Sequence, residues 1–152
     1  MKEISTEITI EGSSAAVWDV LTDFGSYPTW NPFIREIKGD PIVGSKLELK
    51  IMTPRKKIRK YNPVVTVVTP NRELRWYGRA LLPGILDGER IFKISENKNQ
   101  TTRFEHKEIF GGLGALIGGK FLVKDILESE NNMNHALKRE VESKSKTMAD
   151  LK

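Results

Sequence analysis

Apolar and polar positions alternate along most of this chain and change period once, near residue 111. Ile4, Thr6, Ile8 and Ile10 stand at every second position, interleaved with Ser5, Glu7 and Thr9, which predicts a half-buried strand. Gly12-Ser13-Ser14 interrupts the alternation, and a serine there can cap a short helix over residues 15–21. Val17, Val20 and Leu21 form its inner face, with Trp18 as core filler. Residues 23–33 contain Gly25, Pro28 and Pro32, which forbid a long helix, and the aromatics Phe24, Tyr27, Trp30 and Phe33, which demand burial. A helical turn or two leading into a strand satisfies both. From Ile34 to Phe110 the chain reads as a meander, its short alternating runs separated by Gly39-Asp40-Pro41, a basic turn, Pro70-Asn71, Pro83-Gly84 and residues 97–100. Such close spacing predicts antiparallel pairing, because parallel crossovers need helices between the strands.

After Gly111-Gly112 the apolar residues recur at helical spacing: Leu122, Ile126, Met133, Leu137 and Val141. A helix from Gly111 to about Ser143 would run roughly 45 Å. Its first part contains Gly114, Ala115, Gly118 and Gly119, and its middle is interrupted by Ser129 and Glu130. Each interior glycine costs a helix about 1 kcal/mol. Either a space left between helix and sheet or a frayed, kinked first turn accounts for them. The predicted fold class is α+β: a curved antiparallel sheet of about seven strands wrapped on a long C-terminal helix, with two short helices between strands one and two. At 152 residues the chain is read as one domain spanning 1–152.

Composition narrows this without changing it. The apolar fraction of 38% and charged fraction of 30% describe a globular chain. The net charge of +5 is mild, and its one dense run, Arg55-Lys56-Lys57-Ile58-Arg59-Lys60, reads as a solvated hairpin tip. A membrane-edge or interaction role for that run is a weaker reading. No aromatic RNA-binding signature or zinc-finger spacing accompanies it, so no nucleic-acid partner is expected. The absence of cysteine excludes disulfides and thiolate chemistry, and fits a reducing cytoplasm. The N-terminus carries charge where a signal peptide is apolar, and the uncharged run over 109–119 is too short to span a bilayer. No stable membrane insertion is expected.

Candidate chemistry is sparse. Gly112-Leu113-Gly114 has its third glycine misplaced for a dinucleotide loop and lacks the βαβ setting. His106 and His135 have no companions at metal spacing, and no nucleophile elbow or phosphate loop occurs, so no cofactor is expected. The last hairpin says more. If it closes around residue 99, Ile94 faces Phe104, Phe92 faces His106 and Arg90 faces Glu108, all on one face. The aromatic residues identify that face as the inner one, which makes Arg90, His106 and Glu108 polar groups in an apolar interior. The pair is then a structural ion pair, an anchor for a ligand, or an acid/base group. No inward Ser, Tyr or Asp joins the three in this register.

These features together resemble the START/SRPBCC superfamily, the helix-grip fold of lipid-transfer START domains, birch-pollen-type allergens and polyketide cyclases. The residues that carry the resemblance are Val17-Trp18-Asp19-Val20-Leu21-Thr22-Asp23-Phe24, Tyr27-Pro28-Thr29-Trp30-Asn31-Pro32-Phe33-Ile34 and Glu73-Leu74-Arg75-Trp76. Leu82-Pro83-Gly84, Asp87-Gly88-Glu89, the run 101–108, Met133-Asn134 and Ala136-Leu137-Lys138 complete it in the right order. The closest likeness is to the polyketide cyclase/dehydrase-like branch. The resemblance implies a monomer that binds a hydrophobic small molecule, lipid-like or polycyclic, between sheet and helix. Its cavity walls are expected to be Trp30, Phe33, Leu49, Trp76, Phe92, Phe104, Leu122, Ile126 and Met133, with Arg90, His106 and Glu108 as polar groups. The alternative it implies is a cyclase or dehydratase, with Arg90 stabilising an enolate-like oxygen and His106 or Glu108 moving a proton. Two departures stand out: Glu89 occupies the place beside Arg90 where the branch often has histidine, and the glycine-rich helix start leaves the cavity size open.

Overall fold

The computed structural model describes residues 2–79, 87–111 and 119–151. The Pro83-Gly84 turn, the glycine-rich stretch with Gly114, Ala115 and Gly118, and the side chain of Leu122 lie outside the described residues. The N-terminal alternation forms β1 (Lys2–Glu11), which buries Ile4 and Ile10. Ser13 caps α1 (Ser14–Thr22), its hydroxyl accepting from the Ala16 amide at 3.1 Å, and α1 buries Val17, Val20 and Leu21. A 3-10 turn (Phe24–Ser26) and the single-turn α2 (Tyr27–Trp30) follow. The buried Tyr27 hydroxyl donates to the Leu21 carbonyl and ties this segment back onto α1. Asn31 then accepts from the amides of Phe33 and Ile34, each at 2.9 Å, a side-chain-closed turn that launches β2 (Ile34–Lys38).

The meander continues through β3 (Glu48–Met52), β4 (Ile58–Tyr61), β5 (Val64–Thr69), β6 (Glu73–Arg79), β7 (Asp87–Glu96) and β8 (Thr101–Gly111). All ladders are antiparallel. They form a five-stranded sheet ordered β1-β8-β7-β6-β5 and a three-stranded sheet ordered β2-β3-β4, with a bridge between Lys46 and Val64. Among the described residues there are thus eight strands rather than about seven. The extra one, β4, takes up Ile58, Arg59 and Lys60 of the basic run, all exposed. An edge strand whose first three residues are all exposed has no alternation to betray it, and its lysine and arginine discourage further pairing. Pro63 has no amide for a ladder, and the strand path breaks there between β4 and β5.

The last element, α3 (Gly119–Asp150), packs chiefly on β1 and α1. Its stripe buries Met133, Leu137 and Val141 against Ile10, Phe92 and Phe104 in one core. Lys138 Nζ reaches the Thr9 carbonyl and Glu142 Oε2, at 2.8 and 2.7 Å, and Glu142 accepts the Glu11 amide at 3.1 Å. Those bonds fix the helix along the sheet. Beyond Val141 the helix runs two further turns to Asp150 with little burial, supported by a Glu140–Lys144 pair at 3.7 Å. The apolar stripe could not signal that extension. Among the described residues, no helix is long and apolar enough to cross a membrane.

Gly78 on β6 pairs with Gly88 on β7, and Tyr61 fills the space in front of them. A Cβ at Gly78 would stand 2.9 Å from both the Pro63 Cα and the Tyr61 hydroxyl. Since Pro63 Cα is backbone, Gly78→Ala should cost about 1–3 kcal/mol through overpacking. Chemical denaturation measures this; an unchanged midpoint would mean that the crossing strands move apart freely.

Candidate functional site

The β7–β8 register is the one the hairpin pattern predicts: Arg90 opposite Glu108, Phe92 opposite His106, Ile94 opposite Phe104. Arg90 and His106 are buried among aromatic rings. Phe92 lies 4.7 Å from His106, Phe104 lies 5.8 Å from Phe92, and the Phe33 ring sits 4.8 Å from the Arg90 guanidinium carbon. One Arg90 nitrogen bonds Glu108 Oε2, and Nη1 meets His106 Nε2 at 2.6 Å. His106 Nδ1 lies 3.0 Å from Asn134 Oδ1 on α3, and Asn134 Nδ2 donates to Thr6 Oγ1 on β1 at 2.8 Å. Thr6 Oγ1 is also 3.3 Å from Glu130 Oε2. The chain Glu108–Arg90–His106–Asn134–Thr6–Glu130 therefore crosses from the sheet to the helix and back.

Arginine is a donor only, so His106 Nε2 must accept from it. That places the imidazole proton on Nδ1, where it donates to Asn134 Oδ1, and leaves the Asn134 amide free to donate to Thr6. Burial, then the Arg90 charge, hold His106 well below its ordinary 6.5, in the neutral form this network requires. Burial pushes the Glu108 carboxyl up and Arg90 pulls it back down. Glu108 touches the guanidinium directly and keeps 16% of its side chain in solvent, so it is the carboxylate of the site. Glu130 is fully buried and one of its oxygens, Oε1, has no partner among the described residues. Burial raises its pKa to about 8, with Arg90 opposing and Glu108 adding to the shift. The two carboxyls around this cation thus differ: Glu108 bonds the guanidinium directly, whereas Glu130 holds its proton into the neutral range.

Tyr61 completes the sheet side. Its hydroxyl donates to the Gly88 carbonyl at 3.2 Å, and burial together with the Glu108 charge pushes its pKa up. A Cβ at Gly88 would stand 3.1 Å from Glu108 Oε1, so glycine there makes room for the carboxylate.

The expected wall residues are distributed unevenly. Phe33, Leu49, Trp76, Phe92, Phe104 and Met133 are all buried in the core, and Phe33 and Phe92 directly contact the polar cluster. Trp76 stacks edge-on to Phe92 at 5.2 Å, one layer further in. Ile126 is half-buried. Trp30 is also half-buried, edge-on to Tyr27 at 5.0 Å and hydrogen-bonded to Ser26. His135 is exposed on α3. The inner face is more polar than the hairpin alone suggested, because Thr6, Tyr61, Glu130 and Asn134 join the trio. Glu130 and Asn134 carried a signal: they continue the four-residue steps from Ile126, on the stripe itself. Of the two residues that interrupt that stripe, Ser129 is satisfied locally by the Asp125 carbonyl at 2.8 Å, whereas Glu130 is not. Tyr61 had no signal, since it ends a basic run with no apolar alternation.

A family model described as "Polyketide cyclase / dehydrase and lipid transport" matches residues 1–142. No curated protein matches the chain. Among solved structures, a START superfamily protein from Mycobacterium smegmatis superposes with a TM-score of 0.75 at 18% identity, over 93% of this chain and 97% of that one. The Zhui aromatase/cyclase from Streptomyces sp. R1128 superposes with a TM-score of 0.78 at 13% identity, over 93% of each chain. A conserved protein from Geobacillus kaustophilus gives 0.70 at 16% identity, over 93% and 96%. At these identities the likeness is one of fold.

Two outcomes test the electrostatics. Glu108→Gln leaves Arg90 without its counter-charge and should cost about 3 kcal/mol, the lower end of the range for a broken buried pair because Glu108 touches solvent. Arg90→Met with Glu108→Leu should recover much of that loss in thermal denaturation; a neutral Glu108→Gln would mean that the pair does not stabilise the fold. The second outcome follows from Glu130. Between its unfolded value of 4.5 and about 8, the folded state holds a proton that the unfolded chain has released. Stability therefore falls as pH rises through that window, by at most about 1.4 kcal/mol per unit. His106 has the opposite slope below 6.5, because only the unfolded chain takes up its proton there. Above 6.5 that compensation ends, while Glu108 is shifted in the same direction as Glu130. Melting temperature should thus decline from about pH 6.5 to 8, and Glu130→Gln should flatten the decline by the Glu130 share.

Proposed function

The chain belongs to the polyketide cyclase / dehydrase and lipid transport family, and from that premise we propose that it binds and carries a hydrophobic small molecule, lipid-like or polycyclic, between the sheet and α3. The observation that carries the reading is the fully buried polar cluster of Arg90, His106, Asn134 and Glu130 set among aromatic side chains. Ligand sites hold a molecule by apolar contact and orient it with a few convergent polar groups, and this interior supplies both kinds of side chain. Phe33 and Phe92 supply the contact beside Arg90, and the guanidinium keeps N–H donors beyond those used by Glu108 and His106. The absence of cysteine supports a reducing, cytoplasmic setting for a monomeric carrier.

A second reading, a cyclase or dehydratase acting through Arg90, His106 and Glu108, is favoured by the two carboxyls with raised pKa beside a cation. Against it, the only free lone pair of the neutral imidazole already accepts from Arg90, so His106 has no vacant base to offer. Carriage is therefore the better-supported reading.

Nile red, an uncharged apolar dye, should bind saturably with a blue-shifted emission. Native mass spectrometry of protein from its own host should show a bound small molecule that survives prolonged incubation chemically unchanged. No saturable dye binding and a ligand-free mass would overturn the binding reading, whereas conversion of the bound molecule would replace carriage with catalysis.

A further inference from the structure

The unpartnered oxygen of Glu130 has a consequence for which ligands the site accepts. We propose that the site selects uncharged molecules whose polar end is a carbonyl or hydroxyl oxygen, and that Glu130, as a neutral carboxylic acid, donates its O–H from Oε1 to that oxygen. This rests on the binding reading above and specifies its ligand class.

Among the described residues, the groups that act on Glu130 are Thr6 on β1, Arg90 on β7 and Glu108 on β8, with Asn134 and His106 joined to them through Thr6 and Arg90. Arg90 is the one cation among them, and Glu108 already neutralises it through a direct bond. His106 cannot become a second cation while its Nε2 accepts from Arg90. An anionic head group entering here would find no free positive charge among the described residues and would meet Glu108 in the same space. An ionised Glu130 would itself be a buried charge without a counter-ion, which costs far more than protonation. As an acid, Glu130 keeps Oε2 on the Thr6 hydroxyl and turns Oε1 into a donor that meets no acceptor among the described residues. A buried donor left unpaired costs about 1–3 kcal/mol, and a ligand oxygen removes that cost. Ketone, phenol and alcohol oxygens fit; a carboxylate of the same chain length does not.

Two apolar ligands of matched length, dodecanoic acid and methyl undecyl ketone, test this by displacing Nile red near neutral pH. The ketone should bind at least roughly tenfold more tightly than the carboxylate, the equivalent of about 1.4 kcal/mol. Glu130→Gln, which keeps an uncharged donor in place, should retain the preference, and Glu130→Leu should lose the advantage of the ketone. Independently of binding, the infrared carbonyl stretch of a protonated carboxylic acid should be present near neutral pH and weaken in Glu130→Gln. Equal affinity for both ligands, or an infrared spectrum unchanged by Glu130→Gln, overturns the selectivity while leaving the binding reading intact. If neither ligand nor dye binds, the binding reading fails and this inference fails with it.

Discussion

A guanidinium withdrawn from water must be answered by a counter-charge and by acceptors, and the interior of this protein is arranged around answering Arg90. Glu108 supplies the charge from the directly opposed position on β8. His106 supplies an acceptor, which is possible only in one neutral tautomer. That tautomer needs an acceptor of its own, found in Asn134, whose amide in turn needs Thr6. Each link fixes the next, so one buried cation sets the relative position of β1, β7, β8 and α3. A one-residue slip of β8 would break all of these bonds at once and turn Phe104 and His106 outward.

The same constraint explains the small residues around it. Gly78 and Gly88 face each other across β6 and β7 so that Tyr61 and Glu108 can occupy the space in front of them. Larger residues at either position would push on the groups that neutralise and screen Arg90. The aromatic layer of Phe33, Phe92, Phe104 and Trp76 lowers the local dielectric, which strengthens the Arg90–Glu108 pair and raises the cost of any further charge. Glu130 lies at that limit, and burial raises its pKa to about 8.

A carrier and an enzyme in one family differ less in fold than in what their polar groups are free to do. Here the groups with the strongest acid/base character are engaged: His106 at both nitrogens, Glu108 on the guanidinium. What is left uncommitted among the described residues is the Glu130 oxygen, which the proposed binding reading uses to orient a ligand oxygen. Orientation of an apolar molecule by a few convergent donors is the property expected of a binding interior.

The order of elements was legible in the chain because period and punctuation are local. Ser13 capping, the short helices around Tyr27-Pro28 and the long final helix each follow from residues within a few positions of one another. The pairing of Arg90 with Glu108 was legible too, since a hairpin converts turn position and parity into register without any distant contact. The split into two sheets and the strand in the basic run were not, because an edge strand of three exposed residues and one half-buried tyrosine leaves no pattern. Nor was the completed polar site. Glu130 and Asn134 announced themselves only as polar residues on an apolar stripe, which could equally mark a kink or a solvated turn. That they close on Thr6 and His106, more than a hundred residues earlier and about thirty earlier in the chain, depends on how α3 lies across β1. Helix-to-sheet placement is the sum of many contacts distant in sequence, and only the tertiary structure carries that sum.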